Sequence, residues 1–128
     1  MRINRQDVDV QMAIPGATVR QHRGFGAAGD MGDISCEYFT LAAGVDTTPL
    51  FLGLEGDLCQ CPHWGYVLTG TLTTTDGRGV QETVSEGDLF YWPAGHNVRV
   101  DLDAEIIMFS PQDEHSTVIA HMLDKVSG

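Results

Sequence analysis

Three side chains able to ligate a transition metal fall within five residues, in the run Cys59-Gln60-Cys61-Pro62-His63. Thiolate and imidazole donors suit zinc first and iron or copper next, and suit magnesium or calcium poorly. On an extended backbone alternate side chains share a face, so Cys59, Cys61 and His63 would point one way, each about 7 Å from the next. His96, in register with Val98, Val100 and Leu102, is a fourth candidate facing the core at a strand mouth. All four together would make a closed tetrahedron. Three would leave one position for water or substrate, as catalysis requires. One condition applies: Cys59 and His63 lie about 13 Å apart on a straight strand. They can share a metal only if the chain bends at Pro62, a residue found at such irregularities.

A nucleophilic enzyme is the competing chemistry, with Cys59 or Cys61 as nucleophile and His63 or His96 as base. No third orienting group or helix N-terminus stands out. No carboxylate pair suggests glycoside hydrolysis. Cys36, in the apolar run Ile34-Ser35-Cys36-Glu37-Tyr38-Phe39, reads as a buried small hydrophobe. His22, His115 and His121 are expected at the surface, as are Glu82 and Glu86.

The elements that must position these residues are mostly strands. Val8–Met12 and Ala17–His22 flank Pro15-Gly16, and the glycine-rich segment 24–32 reads as a loop. A strand is expected over 33–42. The long strand after His63 divides into an aromatic face (Trp64, Tyr66, Leu68, Leu72) and a face with Gly65, Val67, Thr69, Thr71 and Thr73. The second face continues the ligand row and would line a semi-polar cavity. Asp76-Gly77-Arg78-Gly79 is a hairpin signal. Val80–Val84, Leu89–Trp92, Val98–Leu102 and Ala104–Phe109 follow as short strands. The one helix comes last: Ser110 as N-cap, Pro111 at the first position, then an apolar stripe of Ile119, Met122, Leu123 and Val126. Short strands without βαβ alternation point to an all-β antiparallel barrel or sandwich.

The segment from about Leu52 to Pro111 resembles the cupins, small jelly-roll (double-stranded β-helix) barrels. Tyr66-Val67-Leu68-Thr69-Gly70 resembles the end of the first cupin motif, and Gly87-Asp88-Leu89-Phe90-Tyr91-Trp92-Pro93-Ala94-Gly95 the start of the second. The resemblance implies a single cupin domain over 1–128, with its barrel at about 33–110 and a helix at about 111–126. The family's ligand pattern is altered. Cys59-x-Cys61 stands near the first motif's His-x-His, His63 occupies the glutamate position, and the second motif's histidine falls at Val98, with His96 one strand step nearer the rim. The implied reading is a rebuilt metal site of Cys59, Cys61, His63 and His96, with Tyr66, Thr69 and Val98 contacting substrate. The expected cofactor is a divalent transition metal, zinc before iron or copper. The expected function is a metal-dependent enzyme acting on a small molecule inside the barrel. The alternative is a non-catalytic cupin that binds a small ligand or a partner, with Cys59, Cys61 and His63 structural.

Charge and composition narrow the partners. A net charge of -11 on 128 residues argues against nucleic acid and anionic membranes, both of which need a basic patch. No apolar run approaches the roughly 18 residues of a membrane helix, and Met1–Asp7 lacks an apolar signal core, so a cytoplasmic location is the expectation. Three cysteines, an odd count, fit poorly with a disulfide framework. The exposed aromatic row and the habits of small cupins imply a homodimer.

Overall fold

The computed structural model describes residues 1–128, apart from the side chain of Met31. Seven strands form one antiparallel sheet: β1 (Val10–Ile14), β2 (Ala17–His22), β3 (Ile34–Leu41), β4 (His63–Asp76), β5 (Gln81–Ser85), β6 (Leu89–Trp92) and β7 (His96–Pro111). The strand order is β1-β2-β3-β7-β4-β5, and β6 pairs with β4. A one-turn helix α1 (Thr48–Phe51) lies between β3 and β4, and α2 (Gln112–Ser127) ends the chain. Among the described residues, no helix is long and apolar enough to cross a membrane.

The sheet is organised on β7. Val98–Leu102 and Ala104–Phe109 are parts of this one 16-residue strand rather than two strands. Its second half lies between β3 and the start of β4, with Phe39 opposite Ile106 and Val67 opposite Ile106 from the other side. Its first half pairs with the end of β4 and, through Val100 N to Val45 O (2.8 Å), with the segment before α1. Even-numbered residues of β7 face inward: His96, Val98, Val100, Ala104, Ile106 and Met108 are all buried. Leu102 shares that parity but is exposed, because it lies opposite Thr71 where the β4 pairing is irregular.

The two-faced reading of β4 holds only for its first half. His63 and Val67 are buried and point inward, while Trp64 and Tyr66 point outward. Register shifts between Val67 and Leu72 then reverse the alternation. Leu72, expected on the outer face, is fully buried, and Thr69, expected on the inner one, is exposed. Gly70 makes the reversal feasible. Its φ is +90°, and a Cβ there would lie 2.2 Å from Asp103 O and 2.5 Å from Ala104 Cα.

α2 covers one end of the barrel. Ile119 and Met122 are buried as the apolar stripe predicts, with Val118 beside them, whereas Leu123 is only partly buried and Val126 is exposed. The expected N-cap does not form. β7 runs through Ser110 to Pro111, α2 starts without a side-chain cap, and Gln112 N donates to Asp33 O at 3.0 Å. Ser110 is fully buried because its hydroxyl is engaged inside the barrel.

Candidate metal centre

Cys59 precedes β4 and makes an isolated bridge with the first residue of β7. Its N–H donates to His96 O at 2.8 Å, and His96 N–H donates to Cys59 O at 3.2 Å. Residues 60–62 leave the strand conformation before β4 begins at His63. This bend around Pro62 shortens the span that a straight strand would impose: Cys59 Sγ lies 3.6 Å from a ring nitrogen of His63, Nε2. Donor atoms of Cys59, His63 and His96 all fall within 4.8 Å of one another, and all three residues are buried. A tetrahedral zinc with bonds of about 2.3 Å to sulfur and 2.05 Å to nitrogen would separate those two atoms by about 3.6 Å. The donor set and its spacing fit such an ion.

Cys61 is turned elsewhere. Its thiol approaches Pro62 O (3.3 Å) and Pro111 O (3.8 Å) and contributes no atom to the cluster. The physical reason is the bend itself, because alternate residues share a face only while the backbone stays extended.

Behind His63 stands a buried hydrogen-bond chain. His63 Nδ1 is 2.6 Å from Ser110 Oγ, whose hydroxyl donates to Glu37 Oε2 at 3.1 Å. Since Ser110 spends its only proton on the carboxylate, it accepts from His63 Nδ1–H, which leaves the Nε2 lone pair facing Cys59. Glu37, 1% exposed, also accepts from Ser35 Oγ at 3.1 Å, and His115 Nδ1 closes on its Oε1. Glu37, His63 and His115 form a second cluster within 4.8 Å. Its carboxylate is already occupied by these three partners, so it serves as outer support for His63. His96 is fixed separately: Nδ1–H donates to Pro93 O at 2.7 Å, leaving Nε2 as its free nitrogen.

Burial sets the protonation of the unliganded site. It pushes the Cys59 thiol up to about 12, only partly offset by the backbone of Cys61. Burial also raises Cys61, with Cys59 and Glu37 adding to the effect. It holds His63 well below the usual imidazole range, helped by His115 and His96, and lowers His96 despite the Pro93 carbonyl. Both imidazoles are therefore neutral donors at pH 7, while the thiol becomes a ligand only by giving up a proton.

The cluster faces a cavity of about 60 Å³ between the sheet, α1 and α2, lined by Cys59, His63 and His96 together with Val98, Phe51 and Met122. Of the three expected substrate contacts, Val98 lines this cavity. Tyr66 lies on the outer face, 40% exposed, beside Ile107 and Leu89. Thr69 lies outside as well, its hydroxyl 3.4 Å from Glu105 Oε2, because the β4 irregularity reverses its side. His115, expected at the surface, is 2% exposed. Its signal is the helical stripe carried one turn back, since 115, 118, 119 and 122 share a face. Glu37 escaped notice in an apolar run, although Ser35-x-Glu37-x-Phe39-x-Leu41 alternates inward with the core. Trp92, 5.8 Å ring to ring from His96, carries a buried Nε1–H with no acceptor among the described residues.

Strand order, closure by β7 and an inward Cys–His cluster define an antiparallel jelly-roll barrel with a candidate mononuclear metal site. No family model matches the sequence, and no curated protein matches it. Solved structures do match in fold. Oxalate decarboxylase of Bacillus subtilis, which carries Mn(II) centres, superposes with a TM-score of 0.58 at 20% identity over 84% of this chain, which spans only 28% of that one. The polyketide cyclase RemF of Streptomyces resistomycificus gives 0.56 at 18% identity, covering 86% of this chain and 78% of its own. An RmlC-like cupin of Shewanella frigidimarina gives 0.56 at 16% identity, covering 87% and 90%. The chain has the cupin fold.

Proposed function

We propose that this protein binds one divalent transition-metal ion, zinc before iron or copper, through Cys59 Sγ, His63 Nε2 and His96 Nε2. The remaining coordination position serves a small molecule held in the barrel. The observation that carries this reading is the convergence of three buried donors, from a loop and two strands, within 4.8 Å at one cavity. Such an ion supplies a Lewis acid or an activated water. The chain's own part is to hold two neutral imidazoles and a thiol in place and to keep bulk water out. Metal analysis of untagged protein tests the reading. Cys59→Ser and His96→Ala should each lose bound metal, and Cys61→Ser should retain it. Metal-free wild type after growth with zinc, iron and copper supplied, with no uptake on addition of zinc, sinks the proposal.

The chain from Cys59 through His63 and Ser110 to Glu37 gives the nucleophilic alternative the orienting groups that the sequence did not reveal. Against it, burial keeps both thiol and imidazole neutral. Rapid alkylation of Cys59 by iodoacetamide at pH 7 in metal-free protein would favour this reading over the metal. We also propose a homodimer through the exposed face of Trp64, Tyr66, Leu89, Tyr91 and Phe109, where Trp64 and Tyr91 stack at 5.2 Å.

A further inference from the structure

We infer that the ligand of this site is a small uncharged molecule and that carboxylate anions are excluded. The inference rests on the metal reading above and extends it to substrate class. Its first ground is the wall of the cavity. Beyond the three donors it is built of thioether, aliphatic and aromatic groups, among them Met12, Met108, Met122, Phe51 and Val98. Of its other polar side chains, Thr47 and His115 Nδ1 are engaged, and Trp92 Nε1–H, a single neutral donor, is left without an acceptor among the described residues. Thr47 Oγ1 donates to Val98 O (3.1 Å) and accepts from Val98 N–H (2.8 Å), while His115 Nδ1 is held by Glu37.

The second ground is charge. None of the seven lysines and arginines lines the cavity, and none is buried. Around the ion, the Cys59 thiolate and the Glu37 carboxylate behind His63 are acidic groups already in place, and Glu37 is itself paired with His115. A neutral ligand adds no further charge. A carboxylate adds another negative group to a site of low polarity that no lysine or arginine faces, which is unfavourable. The net charge of -11 further opposes the approach of anions.

The third ground is size. A cavity of about 150 Å³ holds benzene, with its six carbons. The 60 Å³ here, scaled in proportion, admits roughly two or three non-hydrogen atoms without rearrangement. Trp92 and His96 line both this cavity and a larger open groove against the 76–81 hairpin, so they form the partition a ligand would cross.

Cobalt(II) tests the inference on the wild-type protein. Chelator-treated protein is loaded with one equivalent, and the thiolate-to-cobalt absorption is recorded before any probe is added. Dimethyl sulfide and formate, each of three non-hydrogen atoms, are then titrated while the visible cobalt bands are followed, with oxalate as a dianion. Dimethyl sulfide should shift the bands saturably, with an affinity at least tenfold above that of formate or oxalate. Formate or oxalate binding as tightly, or no response to dimethyl sulfide, overturns the inference while the metal reading stands. Absence of the thiolate band in the starting spectrum overturns the metal reading itself, and this inference with it.

Discussion

Replacing Ser110 by alanine isolates the contribution of the buried chain behind His63. The hydroxyl joins His63 Nδ1 at 2.6 Å to Glu37 Oε2 at 3.1 Å, and the residue is 0% exposed. Alanine removes both hydrogen bonds. His63 Nδ1–H then has no acceptor, and Glu37 loses one of three donors while keeping Ser35 and His115. A buried polar group left unpaired costs about 1–3 kcal/mol. The imidazole should show most of that and the carboxylate the lower end, giving a loss of about 2–4 kcal/mol. A domain of this kind has about 5–15 kcal/mol in hand, so the variant should still fold.

The same substitution should weaken metal binding. Without Ser110 nothing fixes the proton on Nδ1, and the tautomer with Nε2 protonated becomes populated. Outer-shell changes of this type cost about 10–100-fold in affinity. Urea titration of chelator-treated protein reads the first effect, and zinc competition against a chromophoric chelator reads the second. Ser85→Ala, which removes an exposed hydroxyl 3.3 Å from Thr71, is the control and should leave both unchanged. A Ser110→Ala protein within 1 kcal/mol of wild type, with unaltered zinc affinity, would refute the assignment of this chain as the support of His63.

Other outcomes follow from the same geometry. In the metal-free protein, His63 and His96 have folded-state values below the ordinary 6.5, so the unfolded chain takes up protons first as pH falls. Their contribution is present above pH 6.5 and lost below it, by up to about 1.4 kcal/mol per pH unit for each histidine. Cys59 and Cys61 act in the opposite sense. Their thiols are raised above 9.0, so stability declines as pH rises past that value and the unfolded chain ionises. Urea midpoints measured under reducing conditions from pH 5 to 10 should trace a dome, and a flat profile below pH 6.5 would count against burial of neutral imidazoles. Gly70→Ala should cost about 3 kcal/mol or more in thermal unfolding, because strain at positive φ adds to a backbone clash. Gly79→Ala, with φ +82° and nothing within 4 Å, should show only the strain of about 1 kcal/mol. Light scattering at micromolar concentration should give a dimer, and Tyr91→Glu should give a monomer; a monomeric wild type refutes the proposed interface.

The barrel was legible because its signals are local. Short strand runs bounded by turn residues, the Asp76-Gly77 turn and the glycine-proline spacing before His96 each act over a few residues, and each of these elements lies close to its expected place. Leu72 and Thr69 fell on the wrong faces because an irregularity between strands is a property of the pairing, and the partner of β4 is 36 residues further on at Glu105. The ligands divide in the same way. Cys59 and His63 are close in sequence, yet their spacing along a strand argued against a shared ion until a bend supplied the short path. Cys61 was included by alternation and removed by that same bend.

What spacing alone does not contain is the part of the site that aims it. Glu37, Ser110 and His115 come from β3, from the end of β7 and from α2, with 73 residues between the first two and 78 between the first and last. Each had a satisfactory local explanation: a polar residue in an apolar run, a helix cap, a surface histidine. Each explanation fails for one reason. Where β3 and β7 pair, Ser35 falls opposite Ser110, and α2 returns over that crossing. A carboxylate buried there must find donors, and Ser35, Ser110 and His115 supply them. The hydroxyl that would have capped α2 is therefore the one that orients His63. Losing the cap costs about 1 kcal/mol, whereas withdrawing the hydroxyl would leave His63 without an acceptor and Glu37 one donor short, about 2–4 kcal/mol, so the assignment of Ser110 follows from the larger penalty.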